Sequence, residues 1–244
     1  GVMGWVNRRE GRVLLDFERE TAWRADVSLF VSAAEAAMFA GAAQGPGADI
    51  RALDNGVDLE YFAPNAGFAA IDKPGAPLLV FTGQMDYRPN IEAVASFARE
   101  AFPAIRAVHE GATFAIVGRS PTPEVTALGA LPGVVVTGGV PDVRGWLAAA
   151  DVVVAPLRIA RGIQNKVLEA MAMARPVVAS PQAAEGIDAR DGAHLVVARD
   201  AESEATSVLA LLADKGSAAQ IGTEARAQVE ARYAWAATLE PLKD

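Results

Sequence analysis

The chain is expected to fold as an α/β protein around a parallel sheet, and three observations carry that expectation. From residue 78 onward, short runs rich in β-branched residues alternate with longer helical segments, the signature of right-handed βαβ crossovers. The runs at 78–82, 113–117, 134–137, 152–155 and 177–179 are continuously apolar or nearly so. Strands of that kind are buried on both faces, as in parallel sheets covered by helices. Gly83, Gly118, Gly138 and Gly162 lie just past strand ends, where such sheets bind their ligands.

Taken in order, 8–25 combines charge with apolar spacing at Val13, Leu14 and Phe17, which predicts an amphipathic helix. A short strand follows over 26–32. Ser32 with Glu35 reads as a capping box opening a helix to Gly41. Gly45-Pro46-Gly47 is a loop, 50–53 a brief strand and Asn55-Gly56 a turn. The Pro- and Gly-rich stretch 63–77 is the preferred domain boundary. Beyond it helices are expected at 90–109, with Asn90 as its cap, and at 124–131, 142–149 and 164–174. A final strand is expected at 195–197, with helices at 201–213, 217–231 and 235–242. Tyr233, just before the last of these segments, and Trp235 and Leu239 within it are bulky apolar residues. They should pack on this domain's flank or cross to another domain.

Composition narrows the chemistry. The net charge of −8 argues against sequence-independent nucleic-acid binding, which needs clustered Lys and Arg. With no cysteine and two histidines, His109 and His194, thiolate and histidine metal sites are not expected. The absence of cysteine is compatible with a reducing cytosol. No apolar run reaches the ~18–20 residues that cross a bilayer, and the N-terminus lacks a signal-peptide pattern. There is no G-x-G-x-x-G after a strand, no Walker A lysine motif, no H-E-x-x-H and no G-x-S-x-G.

The segment 158–170 is the richest in candidate chemistry. Arg158, Arg161 and Lys166 place positive charge near a helix start, which is unfavourable unless an anion offsets it. Gly162, Ile163 and Gln164 supply backbone amides there. Lys166 and Glu169 share one helix face at i and i+3, so the glutamate can receive hydroxyl groups beside a phosphate held by the lysine. In the loop after the first strand of the series, Gly83 permits close backbone approach and Arg88 can reach a phosphate. Gly118 with its neighbours, and the 137–141 loop with Val140, are candidate walls for a base, mostly through backbone atoms. The simpler reading of these features is a surface salt bridge at 166/169, a solvated Arg88 and glycines in plain turns.

These residues also carry a resemblance. Leu53-Asp54-Asn55-Gly56-Val57-Asp58 with Phe62 and Pro64 resembles the hinge signature of GT-B glycosyltransferases. Phe81-Thr82-Gly83, Ile116-Val117-Gly118 and Lys166-Val167-Leu168-Glu169-Ala170-Met171-Ala172 through Pro176-Val177-Val178-Ala179 resemble family 4, the retaining GT-B enzymes. Within it the wording is similar to sugar transferases associated with exosortase and exopolysaccharide systems. The resemblance spans roughly 26 to 240; the 160–180 block is specific, the single glycines are not.

The resemblance implies a Rossmann-like parallel sheet, the GT-B C-terminal domain, with a partial N-terminal remnant. Residues 1–62 would be the remnant of the acceptor domain and hinge. Residues 63–244 would bind the nucleotide-sugar donor, with 233–244 crossing back to a missing N-terminal domain. The chain would then be a fragment, inactive alone. The donor would be a UDP- or GDP-linked substrate, with no resident cofactor implied, and the acceptor a glycan or lipid-linked chain. The enzyme would be cytoplasmic, at most peripheral at the inner membrane face. The family's paired-glutamate motif falls on Glu169 and, with charge reversed, on Arg161. Its diphosphate Arg/Lys pair falls on Gln84 and Asn90, so Arg161, Lys166 and Arg88 are expected to supply the missing charge. A nucleotide-sugar epimerase of the same fold and a non-catalytic scaffold with a degenerate nucleotide site are the alternatives.

Overall fold

A computed structural model of the chain describes residues 2–43 and 47–242; Gly45 and Pro46 of the expected loop lie outside the described residues. The chain divides into two compact units, one of Gly1–Asn55 with Leu239–Asp244 and one of Gly56–Thr238.

The smaller unit holds α1 (Val2–Arg24), β1 (Ser28–Phe30), α2 (Ala33–Ala42) and β2 (Ile50–Ala52), with β1 and β2 paired in parallel. The first helix starts earlier than the charge pattern predicts. Ser32 caps α2 by accepting a hydrogen bond from the Glu35 amide at 3.2 Å. Arg19 of α1 donates to the Ala42 carbonyl at 2.8 Å through Nε, satisfying one of the free acceptors at the end of α2.

The larger unit is the predicted parallel sheet. Its strands are β3 (Leu78–Thr82), β4 (Thr113–Val117), β5 (Val134–Gly138), β6 (Val152–Ala155), β7 (Val177–Ala179) and β8 (Val196–Val197). They run parallel in the order β5-β4-β3-β6-β7-β8. Every residue of β3, β4, β6 and β7 is buried, as their unbroken apolar runs require. The order reverses between β3 and β6, which opens a crevice beyond their carboxyl ends.

The helices are α3 (Arg88–Ser96), α4 (Phe102–Val108), α5 (Pro123–Ala127), α6 (Arg144–Ala149), α7 (Asn165–Ala172), α8 (Pro181–Ala184), α9 (Ala201–Ala213), α10 (Lys215–Arg232) and α11 (Trp235–Thr238). The helix expected at 90–109 is two helices joined by a π turn, Phe97–Ala101. Pro103 has no amide for the α-helical ladder, and a wider turn accommodates its ring. Phe114 of β4 packs on Phe97 and Phe102, with ring centroids 4.8 and 5.8 Å apart. Helix α7 ends earlier than expected because Ala174 turns left-handed, with φ 52°, the geometry of a helix stop. Helix α8 was not foreseen, yet Ser180 caps it and Pro181 opens it, a readable pair.

The expected helix over 235–242 breaks into α11 and a 3-10 turn, Glu240–Leu242. Tyr233 is 2% exposed, and its hydroxyl accepts from the Asp188 amide at 2.6 Å. Val57 bridges Ala234 in parallel, and Trp235 covers Gly56 so closely that a Cβ there would meet its ring at 2.6 Å. Tyr233 therefore belongs to the core of the larger unit.

Candidate functional site

The cleft lies where the strand order predicts it. Thr82 and Gly83 at the end of β3, Val117 to Arg119 after β4, and Gly139, Val140 and Val143 after β5 form one side; Lys166 and Glu169 of α7 form the other. Together they enclose about 380 Å³. Its floor is backbone against backbone. Gly118 has φ 155°, and a Cβ there would lie 1.6 Å from the Gly83 carbonyl oxygen. A Cβ on Gly83 would meet Asn90 Nδ2 at 2.8 Å and Lys166 Nζ at 3.2 Å. The two loop tips interlock because both residues are glycine.

Lys166 Nζ lies 2.5 Å from Asn90 Oδ1 and 4.5 Å from the centre of the Phe81 ring. Burial lowers its pKa to about 8, against the opposing pull of Glu169. Burial likewise raises the Glu169 carboxyl above its ordinary range, and Lys166 only partly offsets that. Both groups are held in a place that disfavours their charge, which is the state of a site prepared for a further polar partner. Thr82 adds a buried hydroxyl with no hydrogen-bond partner among the described residues.

Of the residues proposed from sequence, Gly83, Gly118, Val140, Lys166 and Glu169 converge on this cleft. Arg88 does not line it; its Nε is 2.7 Å from Glu92 Oε1 on an exposed helix face. An i, i+4 ion pair takes the guanidinium that was expected to reach a phosphate. Arg158 also turns away, to Glu204 at 2.9 Å and the Arg199 carbonyl at 3.0 Å. Arg161 is exposed and does not line the cleft. The other loop members are also outside it. Ile163 is buried among core residues, and Gln164 donates to the Arg161 carbonyl at 3.0 Å, closing the loop on itself beside Gly162.

Two residues were undervalued. Asn90 is not the cap of α3, which Tyr87 precedes without a side-chain cap. Its amide donates to the Gln84 carbonyl at 2.8 Å and its oxygen takes Lys166, so it fixes the lysine to the β3 loop. Arg119 lines the cleft and donates to Gln84 Oε1 at 3.0 Å. Its place directly after Gly118 was the signal, but only the backbone of that loop was credited. Among the described residues no group of three His, Asp or Glu is placed to hold a metal ion.

A six-stranded parallel sheet with a cleft at its switch point, covered by α7, defines a Rossmann-like domain of the GT-B class. The profile of the glycosyl transferases group 1 matches residues 76–214, and the chain belongs to that family. Sucrose-phosphate synthase from Thermosynechococcus elongatus has a similar structure, with TM-score 0.73 and 20% identity over 95% of this chain and 60% of that one. HepE of Anabaena, solved in complex with UDP and glucose, gives TM-score 0.72 and 18% identity over 94% of this chain and 65% of that one. The C-terminal domain of the group 1 protein LpcC of Francisella tularensis gives TM-score 0.54 and 19% identity, covering 74% of this chain and all of that domain. The chain thus spans less than two thirds of the first two structures. No curated protein sequence is significantly similar to it.

Proposed function

We propose that this chain is mainly the donor-binding half of a retaining glycosyltransferase of family 4. The full enzyme transfers a sugar from a UDP- or GDP-linked donor to a glycan or lipid-linked acceptor in exopolysaccharide synthesis at the cytoplasmic side. Residues 63–244 form the donor half and 1–62 belong to the acceptor side. The observation that carries the reading is the convergence of Lys166 and Glu169 with the glycine tips at 83 and 118 in one cleft.

In this reading the Lys166 ammonium and the α7 amides take the diphosphate, and the backbone tips admit it closely. Glu169 accepts hydrogen bonds from the ribose hydroxyls. As the bond between the sugar and the diphosphate breaks, negative charge grows on the departing phosphate oxygen, and the same cation and amides stabilise it. No general base is required from this half, since the leaving phosphate itself directs retention. None of the described helices is long and apolar enough to cross a membrane, which fits a peripheral enzyme.

Calorimetric titration of the chain with UDP and with GDP tests the reading. Saturable binding of one nucleotide is expected, and Glu169→Ala weakens it on the order of tenfold by removing a charge-assisted pair of hydroxyl contacts. Heat of binding absent for both nucleotides removes the proposal.

A further inference from the structure

The larger unit buries a second carboxylate, outside the cleft. Glu204, in the first turn of α9, is 1% exposed. Neither of its oxygens accepts a well-aligned hydrogen bond among the described residues. Its cationic neighbour is Arg158, whose NH2 lies 2.9 Å from Oε1. Asp200, the cap of α9, and Glu100, in the π turn packed against that helix, also bear on the carboxylate and oppose its charge. Burial and these two acids outweigh Arg158, and the Glu204 pKa is pushed up to about 7.

A buried carboxylate whose pKa burial raises destabilises the fold in its charged form relative to a neutral isostere. Ala205, Val208 and Leu211 of the same helix are core residues. What Glu204 does hold is Arg158, and Arg158 sits at the stem of the segment joining β6 to α7. That stem is fixed at two adjacent points. Ser180 Oγ donates to the Leu157 carbonyl at 2.5 Å, and the Arg158 guanidinium is held by Glu204 and the Arg199 carbonyl. Beyond the stem, Gln164 is hydrogen-bonded to its own loop. The stem leads through the 158–164 loop into the first turn of α7, which carries Lys166.

We propose that Glu204 is a positioning residue for the donor cleft, acting through Arg158 to fix the 158–164 loop and the lysine that follows it. The proposal rests on the nucleoside diphosphate reading of the cleft. It makes a contradictory-looking demand that a purely structural residue would not meet. Removing the charge should stabilise the fold and weaken the ligand.

The experiment compares the whole chain with Glu204→Gln and Glu204→Leu from pH 6 to 8.5. The measurements are melting temperature, calorimetric titration with UDP and GDP, and amide exchange over 157–165 without nucleotide. At pH 8.5 the variants should melt higher and bind the nucleotide on the order of tenfold more weakly. Amides of 157–165 should exchange faster while the sheet is unchanged. Variant and wild-type affinities should converge toward pH 6, where Glu204 is protonated. Arg158→Gln should reproduce the loss without adding to it in the double variant. Unchanged affinity and exchange in the Glu204 variants overturn the proposal even if Lys166→Ala abolishes binding, which leaves the cleft reading standing. A lower melting temperature with faster exchange throughout makes Glu204 structural only, and also overturns it. If wild type binds neither nucleotide, the cleft reading fails and the ligand role of Glu204 falls with it; the exchange data still decide whether Glu204 holds the loop.

Discussion

Two pairs of charged side chains flank the cleft, and they are opposite in state. Asp142 and Arg144, just after β5, satisfy each other. Arg144 NH2 is 2.6 Å from Asp142 Oδ2, its guanidinium lies 3.7 Å from the centre of the Tyr61 ring, and NH1 donates to the Tyr61 carbonyl at 3.2 Å. Hydrogen bonds from Arg144 hold the Asp142 carboxyl below its ordinary range, and Asp142 raises Arg144 in return. Lys166 and Glu169 on the other side are each pushed toward neutrality by burial. Charged residues of similar sequence spacing, one pair bridged and one not, thus serve different ends. The first closes a loop; the second is left with unspent polarity facing an open space. What separates the two is the partner: Arg144 donates to Asp142, whereas Lys166 and Glu169 both line the cleft.

That contrast can be broken in four ways. The largest effect is expected from Lys166→Met. Truncating a buried cation that meets a phosphate costs about 2–5 kcal/mol of binding, so UDP or GDP titration should show a loss of ~30-fold or more. Stability should move the other way. The folded pKa of Lys166 lies below the ordinary 10.5, at about 8, so the fold bears the charge unfavourably below pH 8. Wild-type stability from this group rises as the pH climbs from about 8 to 10.5. The variant should therefore melt higher at pH 7, and the gain should fade toward pH 10.5.

Arg144→Ala comes next and is the mirror image. It should lower the midpoint of a urea unfolding titration, because the Asp142 carboxylate and the Tyr61 ring lose their cation, and leave nucleotide affinity within about threefold. A larger loss of binding would mean that the satisfied pair also serves the ligand. Third, raising the pH from 7 to 9 should weaken nucleotide binding roughly tenfold as Lys166 loses its proton; Lys166→Met should not show that slope. Arg88→Ala should do least, changing affinity less than about twofold, because its exposed ion pair with Glu92 lies off the cleft.

Much of the larger unit was legible because its strands are continuous apolar runs, a pattern only a sheet covered on both faces tolerates. The convergence of Gly83, Gly118, Lys166 and Glu169 was legible for a related reason. Strand ends and the helix that follows β6 must meet once the sheet is parallel. The arginines were not legible. A cation near a helix start reads as an anion ligand, but Arg158 is claimed by Glu204, which lies on a helix far along the chain. Arg88 is claimed by Glu92 on its own helix. Asn90 was misread for the converse reason. A residue that caps helices by habit serves here as a tether between the β3 loop and Lys166. The π turn at Phe97–Ala101 required knowing that Pro103 would stay inside the helical run instead of ending it.

The interlocked tips at Gly83 and Gly118 restrict how this cleft can diversify. Where the Gly83 main chain already occupies the space of a side chain at 118, mutation of Gly118 has no substituent to offer that the fold can hold. New preferences can be written on the side-chain walls, by Arg119 after β4 and by Val140 and Val143 after β5. A library aimed at changing the accepted ligand should randomise those positions and spare the two glycines.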